Sequence, residues 1–114
     1  MKKIKNNILD SCNGTSAQLS PLIEYAADSV VSKTILDKSA GTITLFAFDK
    51  GQGLSEHTAP YDATVQILDG NAQITIDGKE IAVSAGEIII MPANVPHSLS
   101  AKEKFKMLLT MIRA

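Results

Sequence analysis

The sequence predicts an all-β fold of the sandwich or barrel class, on three observations. About eight short runs rich in β-branched residues are separated by turn residues at regular spacing. No segment carries a convincing long helical period. The pair Asp77-Gly78 stands between two alternating runs, as in a tight hairpin whose turn requires positive φ. With 114 residues, the chain is long enough for one buried core and too short for two.

Predicted strands follow one another closely from residue 29 onward. Most show apolar residues in alternation, whereas 87–91 contains the continuous apolar run 88–91 and is expected to be buried. The glycine-rich residues 49–53 are expected to form a loop. The predicted strands are 29–36, 42–48, 64–69, 72–76, 81–83, 87–91, 97–101 and 105–111.

Residues 1–28 are predicted to form a loop-rich N-terminal segment that can pack on the barrel of residues 29–114. Residues 1–20 are polar and mixed, and we expect a poorly ordered start. Ser20-Pro21 can cap and open a short helix that reaches Ala27, and a strand fits this stretch about equally well.

Charge and composition point away from nucleic acid and membranes. The net charge is −1 and the 2 Tyr and 3 Phe are joined by no Trp, so neither a basic patch nor a stacking surface is indicated. The single cysteine, Cys12, allows no intramolecular disulfide, which suits a reducing cytoplasm. The early lysines lack the apolar run of a signal peptide, and no apolar run is long enough to cross a bilayer. We therefore expect a cytoplasmic protein with a small-molecule partner, no nucleic acid and no membrane.

The stretch from residue 51 to residue 97 holds both histidines of the chain and most of its turn residues. Because the histidines are far apart in sequence, only a fold that returns on itself can bring them together. The glycines are expected to be turn residues, since no strand-to-helix context supports a phosphate-binding loop. Two spaced patterns stand out, one of Gly51, His57 and Gly70 and one of Gly86, Pro92 and His97.

The spacing within these patterns resembles the two sequence motifs of the cupin superfamily, over roughly residues 41 to 112. The resemblance implies a jelly-roll β-barrel, a closed all-β architecture that leaves few exposed strand edges. It also implies a metal site, but here the chain departs from the family pattern. The positions of the second histidine, the glutamate, the second-motif glycine and the asparagine hold Ala59, Ala63, Asn94 and Ala101.

By this resemblance, metal-ligand positions carry over at His57 and His97 only. Two imidazoles would hold a divalent transition metal weakly, because such ions prefer three or more protein ligands. Asp62 is the best local candidate for a third ligand, because a bulge at Pro60-Tyr61 would turn its carboxylate inward. The expected cofactor is a divalent ion of iron, manganese, nickel or zinc, or none.

Strand alternation predicts which other residues line the pocket. Val65 and Ile67 mark the inward face of their strand, so Ala63 lies inward with them, and Asp62 and Gln66 lie outward if the register is regular. The expected pocket residues are His57, Ala59, Ala63, Val65, Ile67, Met91 and His97.

Two functions of different class fit this pocket. One is a binding module that holds a small organic ligand beside His57 and His97 without turnover, with a divalent metal held weakly or not at all. Imidazoles serve such a ligand as donors or acceptors. The other, implied by the resemblance, is a metal-dependent enzyme of the dioxygenase, isomerase or decarboxylase type acting on a small oxygenated substrate. The fold class does not choose among these chemistries.

The last predicted strand has apolar residues on both faces, with Leu108 and Ile112 on the second face. We expect this second face to lie against another chain. Small cupins are commonly dimers, so the resemblance also implies a homodimer.

Overall fold

Nine β-strands make up most of the computed structural model, which describes residues 8–114. The expectation of a poorly ordered start falls largely on residues 1–7, which lie outside the described residues. Two short helices come first, α1 (Ile8–Cys12) and a 3₁₀ turn (Ser20–Leu22). The strands are β1 (Val30–Lys38), β2 (Gly41–Phe48), β3 (Gly53–His57), β4 (Asp62–Asp69), β5 (Asn71–Ile76), β6 (Lys79–Ser84), β7 (Ile88–Met91), β8 (His97–Ser100) and β9 (Phe105–Ile112).

The strands form two antiparallel sheets whose inner faces pack together. One sheet has five strands in the order β1-β2-β9-β4-β7, and the other has four in the order β3-β8-β5-β6. Side chains from both sheets share one core, in which Phe48, Ile74 and Phe105 are fully buried. The predicted all-β fold is confirmed. The strand that the sequence did not predict is β3, which begins in the glycine-rich loop.

β4 keeps the alternation that its apolar residues predict. The residues predicted to point outward, Asp62 and Gln66, are exposed. Those predicted to point inward are buried, namely Ala63, Val65 and Ile67. Ala63 pairs directly with Met91 of β7 and with Met111 of β9. The register shift that would have turned Asp62 inward therefore does not occur.

Asp77 and Gly78 form the two-residue turn between β5 and β6. Both have positive φ, 50° and 80° respectively. These are the conformations that a tight turn between twisted antiparallel strands requires, and glycine adopts them without steric cost. The hairpin prediction is confirmed.

The expectation that 87–91 is buried is wrong for most of β7. Ile88 and Ile90 are each 59% exposed, whereas Met91 is 4% exposed. β7 ends the five-stranded sheet, and only one of its faces meets the core. A continuous apolar run predicts a strand, but it does not tell whether both faces are covered.

Residues 20–27 form neither a helix that reaches Ala27 nor a strand. Only Ser20–Leu22 turn as a 3₁₀ helix, with a proline in the first turn and no side-chain cap. Ile23 then adopts an extended conformation and is fully buried. It belongs to an outer core, which lies on the face of the five-stranded sheet that points away from the barrel interior and consists of Ile8, Ile23, Leu45 and Ala47.

The second face of β9 is partly covered by the chain itself. Leu108 packs against the outer core, and only the end of the strand remains open, where Ile112 is 52% exposed. At Leu108, the second apolar face of β9 is therefore covered by the N-terminal segment rather than by another chain.

Between residues 8 and 114, neither helix has the length and apolar character needed to cross a membrane.

Candidate functional site

The fold brings the two histidines of the chain into contact. His57, the last residue of β3, pairs directly with His97, the first residue of β8. Cross-strand partners share a face of the sheet. The centroids of the two rings are 4.4 Å apart and their planes meet at 70°.

Each imidazole is oriented by a backbone carbonyl two residues earlier. The Nδ1 atom of His57 lies 2.8 Å from the carbonyl oxygen of Ser55, and Nδ1 of His97 lies 3.1 Å from that of Val95. A carbonyl oxygen only accepts, so both Nδ1 atoms must carry the proton and donate it. In the neutral ring, Nε2 then keeps a free lone pair. The pair therefore presents two Nε2 atoms as its remaining hydrogen-bonding groups.

The two histidines differ in exposure. His97 is 5% exposed, and it is the one polar or charged residue among residues 8–114 that is buried. His57 is exposed at the end of β3, which is an edge strand. The pair therefore lies at the boundary between the barrel interior and the solvent: His97 is inside the barrel, and His57 is at its surface.

Both histidines line a cavity of about 50 Å³ between the two sheets. A water molecule needs about 10–15 Å³ of such volume, and drug-sized ligands occupy several hundred. The cavity therefore has room for a few non-hydrogen atoms. Its lining residues are Leu54, His57, Ala59, Tyr61, Ala63, Met91, His97, Leu99, Met107, Leu109 and Met111.

Five of the expected pocket residues line this cavity and two do not. His57, Ala59, Ala63, Met91 and His97 border it. The remaining two, Val65 and Ile67, point inward as expected but lie in the packed core, beyond the cavity.

Six lining residues were not among the seven expected pocket residues. Met107, Leu109 and Met111 alternate along β9, which indicates that they share a face but not that this face borders the cavity. Leu99 lies two residues after His97 on β8 and shares its face, so alternation could have found it. Tyr61 lies between β3 and β4, where no periodicity applies.

Asp62 does not join the histidines. Its side chain is exposed, and one carboxylate oxygen accepts a hydrogen bond of 2.8 Å from the backbone N–H of Ala93. Within residues 8–114, no group of three or more His, Cys, Asp and Glu side chains is arranged to hold a metal ion. The cavity offers two imidazole nitrogens among mainly apolar side chains, and this donor set does not fit a resident divalent transition metal.

A family model described as a cupin domain matches residues 44–113, which include both histidines. The chain belongs to the cupin family. The jelly-roll barrel that the sequence motifs predicted is confirmed by this match and by the two packed sheets. No curated protein matches this cupin.

Solved structures of several bacterial proteins resemble this cupin closely. A conserved protein of unknown function from Streptococcus pyogenes has 39% identity and a TM-score of 0.84, with 88% of each chain covered. A cupin superfamily protein from Desulfitobacterium hafniense has 31% identity and a TM-score of 0.81, over 84% of this cupin and 88% of that chain. A cupin 2 conserved barrel domain protein from Leptotrichia buccalis has 40% identity and a TM-score of 0.81, over 83% of this cupin and 46% of that chain.

The structure explains how this cupin keeps the family geometry while its motif residues change. Asn94, at the place of a motif glycine, has a φ of 64°. Asparagine is one of the few other residues that adopt this left-handed conformation readily. Ala59 and Ala63, at two metal-ligand positions, do border the cavity, but each contributes only a methyl group. The barrel is intact, and the metal-binding groups at those positions are gone.

Proposed function

We propose that this cupin binds a small oxygenated organic molecule in the cavity beside His57 and His97, without a resident metal ion. The observation that supports this most directly is the pair of carbonyl-oriented imidazoles, each with Nε2 left for a ligand. Both rings border one small, mainly apolar cavity. A pocket with a few convergent polar groups in an apolar lining is typical of a ligand site.

The chemistry of the pair selects the polar part of the ligand. A neutral ring accepts a hydrogen bond at Nε2, and a protonated ring donates one. With ring centroids 4.4 Å apart, a single hydroxyl or carboxyl group is small enough to contact both histidines. The methionine side chains in the lining are flexible and adapt to an irregular apolar group. The ligand is therefore a short carbon chain with a hydroxyl or carboxyl head group.

The metal-dependent reaction that the resemblance implies lacks its ligand set here. Two imidazoles hold a transition metal weakly, and the exposed carboxylate of Asp62 is engaged by the backbone N–H of Ala93. We therefore assign no metal-dependent reaction to this cupin, and metal analysis is part of the test.

Three methionines in the lining provide a direct test by NMR. The ε-methyl groups of Met91, Met107 and Met111 are probes inside the cavity, and protein labelled with ¹³C at methionine methyls is titrated with straight-chain alcohols and carboxylic acids of two to six carbons. We expect at least one compound to shift these resonances saturably in protein dialysed against a chelator. The His57→Ala and His97→Ala variants are expected to lose most of the response.

A matched control is Gln66→Ala, which removes an exposed polar side chain from the opposite face of β4 and is expected to leave binding unchanged. Elemental analysis of protein purified without added metal accompanies the titration. Stoichiometric iron, manganese, nickel or zinc that is lost in both histidine variants would contradict the metal-free proposal. Absence of any saturable shift across the panel would remove the ligand class proposed here.

A further inference from the structure

Four strands end the two sheets, and three of them are protected against pairing with another chain. Exposed strand edges carry unpaired backbone groups, and proteins usually protect them with charges or bulges. β1 has a bulge between Thr34 and Leu36. β6 begins with Lys79 and Glu80, and the pairing of β3 is irregular and includes Glu56.

β7 is the unprotected edge. Its sequence is Ile-Ile-Ile-Met, with no charge, no proline and no bulge. It pairs with β4 along one side only. Beside it lies an open cleft of about 440 Å³, lined by residues of β6, β7 and the turn between them. The part of the chain that the structure describes therefore leaves this edge accessible.

The register of β7 with β4 determines which backbone N–H and C=O groups of β7 point toward β4 and which point toward the free edge. The carbonyl oxygen of Glu87 accepts a hydrogen bond from the N–H of Ile67. Antiparallel ladders alternate, so Ile89 and Met91 also direct their backbone groups toward β4. Ile88 and Ile90 direct theirs toward the free edge. These are the same two residues whose side chains are 59% exposed.

We propose that two copies of this cupin join β7 to β7 in antiparallel order, about a twofold axis at Ile89. In this register, Ile88 of each copy opposes Ile90 of the other, and each such pair exchanges two backbone hydrogen bonds. All outward N–H and C=O groups of Ile88 and Ile90 are then satisfied. The exposed isoleucine side chains of the two copies meet on one face of a continuous ten-stranded sheet.

A twofold axis at either neighbouring residue would leave some of the outward backbone N–H and C=O groups without a hydrogen-bond partner. An axis at Ile90 sets Ile88 against Pro92, which has no N–H to donate. An axis at Ile88 sets Ile90 against Gly86, whose N–H already donates to the carbonyl of Ile67. The axis at Ile89 is the one that uses every outward group.

The interface is short, so we expect a concentration-dependent dimer with a dissociation constant of roughly micromolar size or weaker. Sedimentation velocity over a wide concentration range measures it. In the double variant Ile88→Lys with Ile90→Lys, like charges oppose one another across the axis, and the dissociation constant is expected to rise roughly a hundredfold or more. Both side chains are already exposed, so the substitutions leave the core unchanged.

The matched control is Ile112→Lys, which places the same charge on an isoleucine that is 52% exposed and lies on β9, away from the β7 edge. It is expected to leave the dissociation constant within about twofold, because substitutions remote from an interface usually act independently of it. Circular dichroism establishes that all variants are folded. A dimer that Ile112→Lys disrupts and the double variant does not would overturn the proposal.

Hydrogen exchange in the unaltered protein tests the register without any substitution. The amides of Ile88 and Ile90 are expected to be protected at high protein concentration and to exchange freely on dilution. The amides of Ile89 and Met91, which bond to β4, remain protected in both states. A cysteine test adds to this: Ile89→Cys in a Cys12→Ser background is expected to form an intermolecular disulfide, because residues opposed without hydrogen bonds are close enough for one. A monomer at every concentration, or free exchange of Ile88 and Ile90 in the dimer, would overturn the proposal.

Discussion

The two ends of the barrel interior are built from different residues. At the aromatic end, Phe48 and Phe105 are fully buried and their rings stack with centroids 4.5 Å apart. At the histidine end, His57 and His97 border a cavity with flexible methionines around it. One end is closely packed, and the other is left incompletely filled, as the proposed ligand site requires.

The aromatic end is expected to contribute far more to stability. Phe105→Ala removes a fully buried ring from a close-packed site and is expected to lower the free energy of unfolding by about 3–5 kcal/mol. Met91→Leu, at the histidine end, conserves volume and is expected to cost less than about 1.5 kcal/mol. Urea denaturation measures both. Equal losses would contradict the division of roles between the two ends.

Filling the cavity is expected to remove ligand binding while the fold remains. Ala63→Val adds carbon atoms beside Met91 and Met111, where the cavity measures about 50 Å³. We expect ligand affinity to fall more than about tenfold and stability to change by less than about 1.5 kcal/mol. Thr64→Val, the neighbouring position on the outward face, is the matched control and should leave affinity unchanged. The methionine-methyl titration measures affinity, and binding retained in Ala63→Val would place the ligand elsewhere.

Tyr25 lies near the aromatic end, and we expect it to make the free energy of unfolding depend on pH in the alkaline range. Burial of the Tyr25 hydroxyl raises its pKa, and its hydrogen bond to Asp69 raises the pKa further by a smaller amount. A raised pKa in the folded state means that this stability is full below the ordinary tyrosine value of about 10 and is lost as pH rises beyond it.

Tyr25→Phe keeps the ring, over which Lys104 and Lys106 lie at 4.7 and 5.1 Å from the centroid, and removes only the hydroxyl. It is expected to cost about 1 kcal/mol at neutral pH and to reduce the loss of stability above about pH 10. Denaturation curves from pH 7 to 11 measure this, and an unchanged alkaline slope would refute the assignment.

Asp49 provides the smallest effect, because it is only partly buried. The backbone N–H groups of Asp28 and then of Lys50 hold the pKa of Asp49 below its usual value. A lowered pKa in the folded state means that the contribution is present above the ordinary aspartate value and is lost as pH falls through the lowered one. Asp49→Asn is expected to be slightly less stable at neutral pH, with the difference shrinking in acid. Thermal unfolding from pH 7 to 2 measures it, and a constant difference would count against this role.

Alternation and turn chemistry predicted much of the fold. The pattern in β4 assigned Ala63 to the interior and Asp62 to the surface, and Asp77-Gly78 predicted the hairpin. These features succeed because they depend on a few neighbouring residues. No local pattern can show that His57 and His97 meet, because they are far apart in sequence. Their contact was expected only from the spacing of the two motifs.

Other features could not be predicted, because they depend on which elements become neighbours. The apolar run of β7 does not reveal that the strand ends a sheet, so the exposure of Ile88 and Ile90 was missed. The burial of Ile8 and Ile23 requires knowledge of the sheet face beneath them. Met107 and Met111 alternate along β9, but the cavity beside them forms only where both sheets leave a gap.

β3 would give the proposed ligand a route into the cavity. The strand is short, its only strand partner among residues 8–114 is β8, and nearly all of its residues are exposed. Segments with so few buried contacts detach at a small fraction of the free energy that global unfolding requires. His57 would move away with such a detached strand, while His97 stays in β8, which also pairs with β5, so the proposed ligand would enter and leave without loss of the core.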